Sequence, residues 1–421
     1  RGRSGGNNGN GIDGDNGWER CVAILDEMHS RSIVPGVKLY NSILSSAVRS
    51  RNRNRHRGLD AAASLLKTMR NRNVKPDVVT YNVLMSAMAP TDRWRDALKL
   101  MDAINREPGV DPDVITYTAA MRAYGRGGQV DKALSLLRVV KDKGVRTDAY
   151  LYTSAIDACA KGGRWRKALD LLDEMRAEGV HPNAVTYGAA VSACGNGGRW
   201  RRALELLDQM REQDIPITAV AYNAAISALA KAAKRAKGGG RTRSPSSDSD
   251  EEEAADDDGD LYLRALDLLR IMKDEGIAPD AYTYTGAMSA CGSEGRWRES
   301  LDLMEEMRGP GGCGANGIAY TAAIAACGRS GQWERALSLF DDMKVDGLRP
   351  DRVAYNALMT ALRLADRADK AYEIWDEMRS SGSSSVSPDI ITVTDIIGAL
   401  DRSSSSSSGE GDVVVEEGGG G

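Results

Sequence analysis

An all-α fold, an α-α superhelix built as a solenoid of helical hairpins, is predicted by three observations. The phrase GGRWRKALDLLDEMRAEGVHPNAVTYGAAVSAC at 162–194 is followed at once by GNGGRWRRALELLDQM, so the wording restarts after 35 residues. A single globular domain gives every position its own environment and has no use for repetition, whereas a stack of like units does. Within a unit, apolar residues recur at spacings of three, four and seven, the period of a helix. A polar break, usually carrying glycine, then splits the unit into two such stripes, too small to bury each other without neighbours.

The units follow in order when each is numbered from the residue after a Pro-Asp or Pro-Asn pair, which makes the fourth residue usually Tyr. A partial unit, 18–36, precedes the full units 37–77, 78–113, 114–148, 149–183, 184–218, 219–280, 281–316, 317–351 and 352–389, and another begins at Ile390. Three units are lengthened, near Arg51 to Arg55, after Lys231, and around Ser383 to Ser385. In 149–183, Tyr152, Ala155, Ile156 and Cys159 stripe a first helix, and Lys161-Gly162-Gly163-Arg164 breaks it. Trp165, Ala168, Leu169, Leu172 and Met175 stripe the second, which Gly179 and Pro182 end. The predicted organisation is a disordered flank 1–17, a partial repeat 18–36, repeats 37–231, a disordered basic-then-acidic insertion 232–260, repeats 261–400, and a Ser/Gly-rich disordered tail 401–421. The insertion falls between the two helices of one unit, where a long loop costs little closure entropy, and its Ser244, Ser246, Ser247 and Ser249 are candidate phosphorylation sites.

Trp94, Trp165, Trp200, Trp297 and Trp333 share the seventeenth place, and Cys159, Cys194, Cys291 and Cys327 the eleventh. Recurrence at the head of a helix stripe assigns the indoles to packing within or between units. The cysteines, separated by whole units, read as small buried residues and suggest neither a zinc site nor a redox pair. Three histidines, none beside a carboxylate or cysteine cluster, argue against imidazole chemistry. No metal and no membrane span are expected.

The last places of successive units are Asp77, Asp113, Asp148, Asn183, Thr218, Asp280, Asn316, Asp351 and Asp389. Such oxygens cap helices by accepting from free first-turn amides, but capping alone leaves the composition of the next helix's second and fifth places unexplained. The second place is apolar in Val79, Ile115, Tyr150, Val185, Val220, Tyr282, Ile318 and Val353. The fifth is small and mostly polar in Asn41, Asn82, Thr118, Thr153, Gly188, Asn223, Thr285, Thr321 and Asn356. A spacing of three puts second and fifth places on one helix face with the cap at its mouth. One trio per unit can thus line one surface of the stack.

The frame V-V-T-Y-N-x-L, a break, W-x-x-A-L-x-L-L-x-x-M and G-V-x-P-D resembles the pentatricopeptide repeat family, plain type, over about residues 18 to 400. The resemblance supplies a right-handed superhelix and implies sequence-specific binding of single-stranded RNA, one nucleotide per unit, in a chloroplast or a mitochondrion, the chloroplast preferred. In that family the fifth and last residues read the base edge, the second packs against the ring, and amino-terminal units meet the 5′ side. Asn with Asp resembles a uracil reader, Thr with Asp a guanine reader, and Thr with Asn an adenine reader. Carried onto this chain, Asn41/Asp77, Asn82/Asp113, Asn223/Asp280 and Asn356/Asp389 imply U; Thr118/Asp148 and Thr321/Asp351 imply G; Thr153/Asn183 and Thr285/Asn316 imply A; and Gly188/Thr218 departs from the code.

A net charge of −4 looks wrong for such a ligand, but nine acidic residues lie between Asp248 and Asp260, and without them 56 basic residues face 51 acidic, a balance of +5. Arg126, Lys161, Lys231 and Arg329 share the thirteenth place at the ends of first helices. They are candidates for a phosphate stripe or for compensation of the helix dipole, and the two roles are compatible. Neither a deaminase-like H-x-E and C-x-x-C arrangement nor a nuclease-like domain, found in some relatives, is visible after Ile390. The implied protein is a monomer without cofactor or enzymatic activity that acts by occupying RNA: shielding it, opening it, or positioning RNA-processing proteins. The rival is a protein-binding scaffold, but tetratricopeptide solenoids favour a 34-residue period and W-x-x-L-G-x-x-Y, absent here.

Overall fold

The computed structural model describes residues 17–31, 33–49, 55–237, 260–309, 312–380 and 388–406. The expected flank and tail, the insertions near Arg51 and Ser383, and the candidate serines lie wholly or largely outside them. Among the described residues every regular element is a helix. A lone helix α1 (Gly17–Ser30) is followed by hairpins α2 (Val37–Arg49) with α3 (Arg55–Asn71), α4 (Val78–Met88) with α5 (Trp94–Ile104), α6 (Val114–Arg126) with α7 (Val130–Asp142), and α8 (Ala149–Lys161) with α9 (Trp165–Ala177). Next come α10 (Ala184–Gly197) with α11 (Trp200–Glu212), α12 (Ala219–Lys237) with α13 (Leu261–Asp274), α14 (Ala281–Ser293) with α15 (Trp297–Arg308), α16 (Gly317–Arg329) with α17 (Trp333–Val345), α18 (Arg352–Leu364) with α19 (Ala368–Ser380), and finally α20 (Ile390–Ser406). The chain forms two compact units that divide between Ala193 and Cys194.

Two helix ends differ from the sequence reading. Helix α12 runs on to Lys237, into the stretch assigned to the insertion, because Ala-Ala-Lys-Arg-Ala-Lys is a strong helix-forming run and Ala233 is buried. Helix α20 likewise continues to Ser406, past the boundary placed at 400. The pairing of α12 with α13 in one hairpin puts the long insertion between the two helices of a unit, as expected.

In each compact unit, first helices pack on the first helices of neighbouring repeats, α4 on α6 and α6 on α8 in one, α12 through α20 in the other, while second helices close the hairpins. The fourth-place tyrosines Tyr40, Tyr81, Tyr117, Tyr152, Tyr187, Tyr222 and Tyr320 are among the largest fully buried side chains. Removing such a ring from water is worth roughly 1.5–3 kcal/mol, so they form the repeated centre of the core. Close approach of first helices depends on small residues. A Cβ added to Gly125 would sit 2.9 Å from Cβ of Ala158, and one on Gly328 would sit 2.5 Å from Cβ of Ala361.

Cys159, Cys194, Cys291 and Cys327 are fully buried as expected, and burial pushes the Cys291 thiol up to about 12. The indoles pack between repeats, Trp94 lying against Gly127 of the next unit. Of the five, only Trp200 is buried, as is Val130, which holds the seventeenth place of the unit 114–148. The remaining indoles are half-buried with arginines over their faces, for example Arg95 on Trp94 at 4.5 Å and Arg367 on Trp333 at 4.2 Å. No described helix is long and apolar enough to cross a membrane.

Candidate nucleic-acid interface

The trio residues gather at the amino ends of the first helices, and each place of the unit has its own exposure. The second-place side chains stand out: Val79, Ile115, Tyr150, Val185, Val220, Tyr282, Ile318 and Val353 are 53 to 68% exposed. Exposed large apolar groups repeated in register ask for a partner that covers them. The fifth-place side chains are recessed beside them, with Asn41, Asn82, Thr118 and Asn223 buried and Thr153, Thr285, Thr321 and Asn356 half-buried. Buried Gly188 contributes no side chain.

The last-place residues do cap, and they use one oxygen for it. Oδ1 of Asp77, Asp113, Asp148, Asp280, Asp351 and Asp389 accepts the backbone N–H three residues on, at 2.8 to 3.0 Å. Oδ1 of Asn183 accepts from the N–H groups of Val185 and Thr186 at 3.0 and 3.1 Å, and that of Asn316 from Ala319 at 2.9 Å. The extended backbone at Asp77, near φ −106° and ψ 176°, is the usual conformation of an N-cap.

Three pair geometries result. In the Asn/Asp units the two side chains bond directly: Asn41 Nδ2 donates to Asp77 at 3.0 Å, Asn82 to Asp113 at 2.9 Å, Asn223 to Asp280 at 3.1 Å and Asn356 to Asp389 at 3.2 Å. Burial would raise the Asp77 and Asp280 carboxyls, but hydrogen bonds from Thr80 and Asn41, and from Thr283 and Asn223, outweigh it and hold both below the ordinary carboxylate range. In the Thr/Asp units the threonine donates to its own helix instead, Thr118 to the Val114 carbonyl and Thr321 to that of Gly317, each at 2.7 Å. The Thr/Asn units repeat this, with Thr153 on Ala149 at 2.6 Å and Thr285 on Ala281 at 2.8 Å.

In the second compact unit these places line one open groove of about 1020 Å³ along α12, α14, α16, α18 and α20. Tyr282, Ile318 and Val353 share its wall with Thr285, Thr321, Asn356, Asp351 and Asp389. Lys231 and Arg329 line it as well, and each also serves a helix end. Lys231 Nζ donates to the Gly195 carbonyl at 2.9 Å and Arg329 Nε to that of Gly292 at 2.8 Å, so dipole compensation and groove lining coincide. Arg126 and Lys161 depart from the uniform stripe: they are ion-paired, to Asp92 at 3.3 Å and Asp157 at 2.5 Å, because acidic neighbours lie within reach.

Among the groove residues that sequence reasoning did not single out are an apolar one and two cations. Ile391, 58% exposed, occupies the second place of the final partial unit and was recoverable by extending the register. Arg352 stands at a first place, and Lys234 fell inside the presumed insertion. Among the described residues no cluster of His, Cys, Asp or Glu is arranged to hold a metal ion.

Sequence models of known families match most of the chain. A pentatricopeptide repeat-containing protein model covers 115–238, a PPR repeat family model 76–126 and 315–364, a pentatricopeptide repeat domain model 23–89, and a PPR repeat model 282–311 and 353–383. Among solved structures, the pentatricopeptide repeat protein PPR10 in complex with an 18-nt psaJ RNA element is 18% identical, covers 92% of this chain and has a TM-score of 0.60. A cysteine-substituted form in complex with the same element gives the same values. PPR10 from maize is 24% identical over 93% of this chain, with a TM-score of 0.48. The chain spans about half of the length of these structures, 56% of the RNA complexes and 50% of the maize structure. No curated protein matches the chain. With repeat models along 23–238, 282–311 and 315–383, and with each matched stretch folded as helical hairpins in the same register, the chain belongs to the pentatricopeptide repeat family.

Proposed function

We propose that the chain binds single-stranded RNA, one nucleotide per unit, and prefers the sequence 5′-UUGANUAGU-3′. The observation that carries this reading is the donor and acceptor polarity of the pairs. Where Asn meets Asp, an amide N–H and a carboxylate oxygen remain side by side, one donor and one acceptor. Uracil offers the complement, an O4 acceptor beside an N3–H donor. Where Thr faces Asp, the hydroxyl proton of Thr118 or Thr321 is spent on its own helix, so the pair offers acceptors only. Guanine, with adjacent N1–H and N2–H donors, suits it. Where Thr faces Asn, the cap consumes the oxygen of Asn183 or Asn316 and leaves its Nδ2 donor beside a threonine acceptor. Adenine, with an N1 acceptor and an N6–H donor, matches that pair on its Watson–Crick edge.

The second places support the same assignment. Tyr150 and Tyr282 stand in the two Thr/Asn units, where an aromatic face can stack on a purine, while Val or Ile occupies every other full unit except the first, which has Lys38. A base set against Asn356 and Asp389 has Val353 and Ile391 available to press on its faces. PPR10, one of the similar solved structures, has been seen in complex with an 18-nt psaJ RNA element. The proposed action is occupancy by a monomer in a chloroplast or mitochondrion, shielding a transcript or positioning RNA-processing proteins on it.

Titration tests the reading. The heteropolymer 5′-UUGANUAGU-3′ binds more tightly than its reversed or shuffled form, and affinity falls with added salt as phosphate contacts are screened. Equal affinity for unrelated oligonucleotides across the salt series refutes the base assignments.

A further inference from the structure

The third-place residue of a unit faces back into the pair of the preceding one. Thr80 Oγ1 lies 2.7 Å from Asn41 Oδ1, Thr116 Oγ1 2.6 Å from Asn82 Oδ1, Thr283 Oγ1 2.5 Å from Asn223 Oδ1, and Thr392 Oγ1 2.6 Å from Asn356 Oδ1. All four threonines are fully buried. Every fifth-place Asn is followed by such a Thr, whereas Thr118, Gly188, Thr285 and Thr321 are followed by Leu151, Ala221, Ala319 and Ala354, which carry no hydroxyl. The exception, Thr186, meets the hydroxyl of Thr153 at 2.7 Å.

We infer that this threonine is a positioning residue for uracil reading, so that the reader is a trio spanning two repeats rather than a pair within one. The inference rests on the proposed RNA code and deepens it. The threonine hydroxyl has one proton to give. Two acceptors face it, Asn82 Oδ1 at 2.6 Å and Asp113 Oδ1 at 2.8 Å; the latter already accepts the Thr116 backbone N–H at 2.9 Å and the Asn82 amide at 3.0 Å, so the proton is assigned to the shorter contact, Asn82 Oδ1. The amide oxygen is thereby occupied and held inward, and only the N–H side of Asn82 remains for the base. Cytosine presents an N3 acceptor and an N4–H donor in the reverse order from uracil. An asparagine free to turn its oxygen outward would accept from that N4–H. The threonine therefore secures uracil against cytosine, and swapping an Asn into a unit whose successor lacks the hydroxyl gives an incomplete reader.

The test uses the full chain and RNA oligonucleotides carrying U or C at one place. In Thr116→Val the preference for U over C at the second nucleotide falls roughly fivefold or more, as expected for one buried hydrogen bond lost. The preference at the sixth nucleotide, read by Asn223 with Thr283 intact, does not change. Thr116→Ser, which keeps the hydroxyl, restores the wild-type ratio, an outcome that a purely structural role for the methyl-bearing side chain does not give. Thr321→Asn, with and without Ala354→Thr, provides an independent measure should the valine variant not fold. The double variant discriminates U from C at the eighth nucleotide better than the single one. An unchanged U/C ratio in Thr116→Val, or equal ratios in the single and double variants, overturns the inference while leaving the RNA code standing. A wild-type chain with no preference at any nucleotide overturns both.

Discussion

Changing Asn183 to Asp alters one atom of one proposed reader. In the structure Oδ1 of Asn183 caps α10 by accepting from Val185 and Thr186, while Nδ2 is the donor assigned to adenine N1. Aspartate keeps the capping oxygen and adds a negative charge at a helix amino end, worth about 0.3–1 kcal/mol in its favour. Melting is therefore unchanged or slightly raised. At the base, adenine loses a hydrogen bond and faces a second acceptor, while guanine gains an acceptor for N1–H. A neutral bond lost contributes about 1 kcal/mol and a charge-assisted bond gained about 1.5–3 kcal/mol. Together they shift the A/G ratio at the fourth nucleotide by about 2.5–4 kcal/mol, roughly 60- to 800-fold. Matched titrations with A or G at that nucleotide, beside a melt of each protein, measure it. A stable variant with an unchanged A/G ratio refutes base reading by Asn183 and leaves it a cap alone.

Tyr282→Ala removes a side chain that is 60% exposed, so folding stability moves by less than about 0.5 kcal/mol. RNA affinity falls by about 1–3 kcal/mol as a stacking face is lost, and paired melting and binding curves separate the two effects. Gly328→Ala places a Cβ 2.5 Å from that of Ala361 and costs about 1–3 kcal/mol of stability through overpacking, visible as a lowered denaturation midpoint. The Asp77, Asp280 and Asp389 carboxyls are held below their ordinary 3.8 in the folded chain. Their stabilisation is therefore fully present above that value and is lost as pH falls through the depressed folded values. A melting series on acidification shows this loss, and it is smaller in Asp280→Asn.

The repeat period, the hairpins and the buried Tyr and Cys places were legible because each rests on periodicity, which a sequence displays directly. The ends of α12 and α20 were not, since composition marked Lys234 and the serines after Ser403 as loop while helix propensity and continuity of the preceding turn carried the helices to Lys237 and Ser406. The thirteenth-place cations were legible as a series but not as individuals. Whether Arg126 finds Asp92, or Lys231 finds the Gly195 carbonyl, depends on residues roughly a repeat away.

The sequence posed capping and base reading as two roles for the last-place residue, and the geometry shows the capping while leaving an atom free for the proposed reading. In every described Asp or Asn cap of a first helix, Oδ1 takes the backbone amide. The second terminal atom, Oδ2 or Nδ2, is then left to distinguish Asp from Asn. Capping tolerates either residue because it uses the oxygen they share. In the proposed code, base choice distinguishes them through the atom in which they differ. The same helix start that fixes the first oxygen also fixes where the second atom lies, so a cap holds the position of the proposed reader while leaving its chemistry free to vary from unit to unit. Thr218 lacks that division, having one hydroxyl for both tasks, and it stands in the unit whose fifth place is Gly188, with no side chain to complete a pair. The unit that departs from the code is thus the one in which neither place supplies an amide or carboxylate for reading.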